Sequence, residues 1–265
     1  MTRAREPIFN VPAVVLAVAA VLTSIHVGRA FLSEDADFAW LIDFAFIPAR
    51  EISWFAPGIL TGLVEHGPTG LDEGGIARYQ LAAYLLAQGG PHPWTLLTYA
   101  FLHENWLHLG LNLVVLAALG TPVARRCGAL RFLALIAAGA LAGALMHLLV
   151  HPSGVAPLIG ASASVSASMG AAARFVFDPV ARMGGSSPRL AQALRNRTVI
   201  VFTLGWFFAN AMSGLGANPS VLANASIAWE AHIGGFLLGF LAFALFDPLR
   251  RRDHEPVDGK SAGYE

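Results

Sequence analysis

Charge is scarce in this 265-residue chain: Asp, Glu, Lys and Arg make up 13% of it, against about 25% in an ordinary soluble domain. Lys plus Arg equal Asp plus Glu at 17 each, so no basic excess exists to grip a phosphate backbone. That excludes a nucleic-acid binder. The single cysteine, Cys127, rules out a disulfide framework and a thiolate metal centre. Intrinsic disorder is excluded from the other direction, because 55% of the side chains are hydrophobic. A water-soluble domain of this size has nowhere to bury so much apolar surface. The composition is that of a polytopic membrane protein.

Six apolar runs approach the roughly 20 residues that a helix needs to cross a bilayer. They are 8–28, 106–123, 132–150, 159–176, 198–215 and 227–246. The first is too long for a signal-peptide core and lacks a small-residue cleavage pattern, so it is read as a mature helix. Basic residues flank one side of the spans: Arg3 and Arg5, then Arg125, Arg126 and Arg131, then Arg174 to Arg197, then Arg250 to Lys260. The other side carries only Arg29, Arg50 and Arg78 but nine of the 17 acids. Lys and Arg mark the cytoplasmic side, so both termini are expected there. The domain reading is a cytoplasmic tail at 1–7, a six-helix membrane domain at 8–247 and a polar cytoplasmic tail at 248–265. Within it, 29–105 is a long outer loop with interfacial helices around Phe38–Phe46 and Ile76–Leu85. No internal repeat is evident, which weakens a transporter built from inverted halves.

Polar side chains at membrane depth need a partner or a task. The first group is His103-Glu-Asn-Trp-Leu-His108-x3-Asn112. Its two histidines are five residues apart and not the four of a zinc-binding HExxH helix, whereas His108 and Asn112 share a face. The second is Gly160-Ala161-Ser162, entering a run in which Ser162, Ser166 and Gly170 form a four-spaced small stripe. A serine at a helix start has free backbone N–H donors beside it, as an oxyanion requires. The third is Ala231-His232-x2-Gly235-x3-Gly239, again with a small stripe. Structural readings exist for each group: buried polar pairs joining helices, or smooth faces for close packing. The other histidines, His26, His66, His92, His147, His151 and His254, are isolated and carry no catalytic assignment. Glu230 lies on nearly the opposite face from His232, so any Ser–His pair would be a dyad.

With these groups in order on spans two, four and six, the chain resembles the rhomboid intramembrane serine proteases. That resemblance implies an all-α integral membrane protein, a six-transmembrane-helix bundle with a long helical first outer loop. It implies Ser162 as nucleophile and His232 as general base and then acid. His108, Asn112 and the Ser162 N–H would form the oxyanion hole, with His103, Gly160 and Gly235 in support. It implies no cofactor and no metal, transmembrane protein substrates, and a bacterial inner-membrane location with the site open to the periplasmic side. The short polar loop 216–225 is expected to cap the site. The chain departs from the family at Ala163, where glycine is usual, and at Ser166, where a bulkier residue commonly packs on the histidine. Trp94 matches the first-loop tryptophan, and Thr95 stands where arginine is usual. Two other readings remain: an inactive relative that binds or chaperones membrane proteins, and a channel or transporter lined by the same polar groups.

Overall fold

The computed structural model describes residues 11–68, 70, 73–214 and 228–249. The expected tail 1–7, the expected capping loop 216–225 and residues 250–265 lie outside the described residues. Among the described residues the regular structure is helical, with one isolated antiparallel bridge between Phe46 and Leu158.

The chain opens with α1 (Ala13–Arg29). Five short helices follow: α2 (Glu34–Phe44), α3 (Pro48–Ile52), α4 (Gly58–Glu65), α5 (Glu73–Gln88) and α6 (Thr95–Thr98). Then come α7 (Trp106–Val115), a π-helical turn (Leu116–Gly120) and α8 (Thr121–Cys127), which together form one continuous rod. The rest are α9 (Ala129–Val150), α10 (Ser162–Ala173), α11 (Pro179–Arg182), α12 (Leu190–Ala193), α13 (Arg197–Gly214) and α14 (Trp229–Phe246). Three rods among the described residues are long and apolar enough to cross a membrane: Trp106–Cys127, Ala129–Val150 and Trp229–Phe246. Helices α1 and α13 are shorter apolar elements.

Local chemistry sets the boundaries. Pro122 has no N–H to offer the turn before it, and the rod widens to a π-turn just there. The rod ends at Gly128, whose φ of +77° reverses the chain in one residue and starts α9 three residues earlier than the apolar run alone indicated. The fourth apolar run contracts most. Its helix, α10, has only 12 residues, about 18 Å of rise against a hydrocarbon core of about 30 Å. The non-helical segment 155–161 carries the chain down to it, so Ser162 sits below the ends of the neighbouring rods. That segment is held by Leu158 bonding Phe46 in both directions, at 2.8 and 3.1 Å.

The inner packing is backbone against backbone. A side chain on Gly235 would strike the Ala163 carbonyl, and one on Gly239 the Ala167 carbonyl. From α9, Gly139 faces the Ala167 methyl and Gly143 the Ala163 methyl. The interlocking positions of α10 are therefore Ala163 and Ala167, one residue along from the stripe of Ser162 and Ser166; Gly170 does join the packing, against the Phe236 backbone. Among helices in lipid, such small-residue contact supplies van der Waals energy where a hydrophobic drive is lacking.

The segment between α1 and α7 folds around Arg50, which is wholly buried. Its guanidinium donates to the Ile42 and Ala45 carbonyls, at 2.7 and 2.8 Å, and pairs with Glu51 at 2.9 Å. It thereby satisfies carbonyls that the end of α2 leaves open. Burial lowers the Arg50 pKa, and Glu51 opposes that shift.

The packing makes a prediction. Gly239→Ala should destabilise the bundle by about 1–3 kcal/mol, the usual cost of overpacking. Gly205→Ala, in open space on α13, should be neutral or stabilising by up to about 1 kcal/mol from helix propensity. Thermal unfolding in detergent measures both, and equal shifts would contradict the packing described.

Candidate active site

Three rods and the short helix bring the three polar groups to one end of the bundle. Asn105 is the N-cap of α7 and accepts from the His108 N–H at 2.9 Å, which fixes the helical phase of His108 and Asn112. Asn112 is buried and donates through Nδ2 to the His108 carbonyl at 2.9 Å, one turn back. His103 precedes the helix and is fully buried, with its ring 5.1 Å from that of His108 and nearly perpendicular to it. Burial pulls the His103 pKa down to about 3, with His108 adding to the effect. This imidazole is therefore neutral, and its Nε2 accepts from the Ala161 N–H at 3.4 Å.

Gly160 is needed twice over. Its φ is +117°, a conformation that side chains resist. A Cβ there would also lie 2.8 Å from the His108 ring and 3.7 Å from Ser162 Oγ. The His108 imidazole and the Ser162 hydroxyl thus face the same bare patch of backbone. Ser162 begins α10, where the first-turn N–H groups have no intrahelical acceptors.

The neighbouring serines are otherwise engaged. Ser164 donates to the Ile136 carbonyl on α9 at 2.8 Å, and Ser168 to the Ser164 carbonyl at 3.4 Å. Ser166 is buried one turn deeper, whereas Ser162 is partly exposed. The Ala163 methyl is directed at Gly143, so the residue that replaces the usual glycine fills a helix contact on α9.

His232 arrives from α14. The Ala231 carbonyl and the Ala163 methyl both abut Gly143, so residues next to His232 and next to Ser162 meet on one spot of α9. Among the described contacts His232 bonds not to Ser162 but to Asn210 of α13, Nδ1 to Oδ1 at 2.7 Å. Asn210 also donates through Nδ2 to the Trp206 carbonyl at 2.9 Å. A carbonyl only accepts, so the amide NH2 faces Trp206 and Oδ1 faces the histidine. Nδ1 of His232 must then carry the proton, and Nε2 holds the lone pair. Asn210 was missed in the sequence, where its only signal is an amide within an apolar helix.

Glu230 turns away from His232, as its position on α14 implied. It meets His147 and His151, which are therefore not isolated. In the first loop, Trp94 Nε1 donates to the Asp43 carbonyl at 2.9 Å. Thr95 is buried and donates to Glu51 at 3.1 Å, so it joins the network around Arg50. His92, stacked on Trp94, has its pKa lowered by burial and by Arg50.

Residues 90–248, more than half of the chain, match the sequence model of the Rhomboid domain. The chain belongs to the rhomboid family, and it is an all-helical integral membrane protein. It is similar to Rhomboid protease GluP of Bacillus subtilis (strain 168), 31% identical over 161 residues that cover 60% of this chain and 27% of that protein. It thus spans about a quarter of the length of the curated relative that it matches.

Gly160 gives the site its test. Gly160→Ala should cost roughly 1–2 kcal/mol of backbone strain and displace His108 as well. Gly67→Ala, at φ +71° in open space, carries the strain alone. A larger loss of thermal stability at 160 than at 67 is expected; equal losses would mean that His108 does not lie on Gly160.

Proposed function

We propose that the protein is an intramembrane serine endopeptidase that hydrolyses peptide bonds in or near transmembrane segments of other membrane proteins. Family membership and the GluP relative support a protease of this class. The observation that carries the reading is the Asn210–His232 hydrogen bond. It presets the imidazole tautomer with its basic nitrogen, Nε2, free for a serine, as the third member of a Ser-His-Asp or Cys-His-Asn set does.

In the proposed reaction, Nε2 of His232 takes the proton of Ser162 as Oγ attacks the carbonyl carbon. Imidazolium then returns that proton to the leaving amine, and a water repeats the sequence on the acyl-enzyme. The developing oxyanion receives the Ser162 N–H, the His108 imidazole and the second N–H of Asn112. Without a Ser162–His232 bond in this state, a small approach of α10 and α14 side chains on substrate binding completes the pair, which is common for catalytic hydrogen bonds. Asn210 orients the base, with Asn112 and His103 holding His108 and the helix entry.

The topology proposed with this function has six spans, α1, the α7–α8 rod, α9, α10, α13 and α14, with both termini cytoplasmic. The membrane is a bacterial inner membrane, and the site opens to the periplasmic side. Among the described residues, Arg125, Arg126 and Arg131 and the five arginines from Arg174 to Arg197 lie toward the helix ends opposite Ser162, which supports that orientation. The substrate segment must unwind locally, because a helix engages its own peptide groups.

Fluorophosphonate labelling tests the chemistry directly. The intact protein should label, Ser162→Ala should not, and Ser166→Ala should. Absent labelling of the intact protein would favour an inactive binder. Solute flux in liposomes that persists in Ser162→Ala would favour a channel. Ser162→Ala, His232→Ala and the double variant should fall to one residual rate, since residues acting as a unit are non-additive.

Asn210 is tested separately. Asn210→Ala should lower kcat by roughly 10- to 1,000-fold with little change in KM, as expected when a base loses its orienting partner. Asn210→Asp, which still accepts from Nδ1, should recover much of the rate. A change confined to KM, or no rescue by Asp, would remove Asn210 from the mechanism.

A further inference from the structure

Besides the Ser162 group, the end of the bundle holds a second constellation of reactive side chains. His147 lies in the last turn of α9, and His151 is the residue that ends it, with its N–H bonded to the His147 carbonyl at 2.9 Å and its ring 5.2 Å from the His147 ring. Glu230, in the first turn of α14, reaches across to both. Its Oε1 is 2.9 Å from His147 Nδ1 and 2.8 Å from His151 Nε2. All three donor atoms lie within 4.8 Å of one another.

We infer that His147, His151 and Glu230 form a binding site for a divalent transition-metal ion, with Zn2+ as its best-matched occupant. Two imidazoles and one carboxylate are the donor set of open zinc sites. The same imidazole-rich set suits other late first-row ions, and without a thiolate it does not select copper(I) or an iron–sulfur cluster. Tetrahedral coordination with bonds of about 2.0–2.2 Å places neighbouring ligand atoms roughly 3.3 Å apart. Opening the present 2.8 and 2.9 Å contacts to that spacing takes only small side-chain rotations.

A plain hydrogen-bonded triad is the alternative, and two observations favour the metal. First, both imidazoles aim at one carboxylate oxygen, Oε1, while Oε2 of the same group is buried without a hydrogen-bond partner among the other described residues. A buried carboxylate half-satisfied in this way is expensive, and a cation held by both oxygens or by one with a bound water compensates it. Second, the site has an entry path: the His147 and Glu230 side chains are buried, but that of His151 is half exposed. Three protein ligands leave one position for water.

The ion would join the last turn of α9 to the first turn of α14, two residues before His232. Binding only the folded arrangement, it stabilises the protein by mass action. The site itself does not depend on the protease assignment, and its test uses no activity readout.

The test uses untagged full-length protein in detergent, stripped with a chelator and titrated with Zn2+ against a chromophoric competitor. One saturable equivalent is expected, with a rise in the thermal midpoint. Co2+ in its place should give the intense visible bands of a four-coordinate N/O site. His151→Ala, at a half-exposed side chain that the fold does not require, should weaken Zn2+ binding by at least about 10-fold, since even loss of an outer-shell partner costs 10–100-fold. Glu230→Gln should do the same. His66→Ala, at an exposed turn, should change nothing. Overturning results are the absence of a saturable equivalent in the intact protein, or affinity unchanged in both His151→Ala and Glu230→Gln.

Discussion

The structure depends on the approach of α10 to α14 at Gly235 and Gly239. There the backbone of one helix occupies the space that a side chain of the other would need. Hydrocarbon offers no hydrophobic reward for helix association, so dense contact between small residues has to supply the attraction. That contact also fixes register. Ala163 seated on Gly235 and Ala167 on Gly239 leave α10 one phase and one height relative to α14. Ser162 and His232 inherit their positions from it, because each is adjacent to, or within one turn of, an interlocking residue. On the third side α9 closes the packing with Gly139 and Gly143.

Charged groups pin the ends that this smooth core leaves free. Opposite the site, Arg126 forms a two-pronged pair with Asp247, at 2.8 and 3.0 Å, and donates to the Ala181 and Gly185 carbonyls. One side chain thereby connects α8, the end of α14 and the turns around α11. Its guanidinium also lies 4.9 Å from the Phe175 ring centre. Arg174 ties α10 to the Phe240 and Pro188 carbonyls. Removing one partner from a buried pair such as Arg126–Asp247 costs about 3–5 kcal/mol, because the other charge is stranded. At the site end, Arg50 organises the first loop on the same principle, and the isolated bridge between Phe46 and Leu158 carries that order into the segment before Ser162.

How much of this was legible in the sequence follows from the range of the forces involved. Apolar runs at 106–123, 132–150 and 227–246 located the long rods to within a few residues, since length and hydropathy are local properties. His108 with Asn112 was legible as a helical pair, because four-residue spacing is intrinsic to one helix. The fourth run overestimated its helix: alanine, serine and glycine are apolar enough to extend a span, but Gly160 at positive φ delays the helix start. Contacts between elements were not legible. Nothing in the order of residues says that Asn210 faces His232, that Glu230 finds His147 and His151, or that Ala163 and not Ser162 bears on the facing helix. Each is set by the rotation of one rod about its axis, and that rotation is decided by the summed packing of the whole bundle.

The Asn210 contact has a consequence for how access and chemistry are related. Helix α13 is half exposed along its length and meets α14 through a small aromatic surface, Trp206 stacked on Phe236 at 4.5 Å. Asn210 lies one turn beyond Trp206 and borrows its carbonyl to hold the amide. The same helix that shields this side of His232 therefore dictates its tautomer. Displacing α13 sideways by an ångström or two would break the 2.7 Å bond and return the imidazole to a mixture of tautomers, only part of which presents Nε2 as a base. The proposed reaction therefore requires α13 to be seated whenever a substrate is attacked, whatever motion brings that substrate in. An aspartate in this place would orient the ring more strongly but would need desolvation within the bundle, whereas the neutral amide orients it without a buried charge.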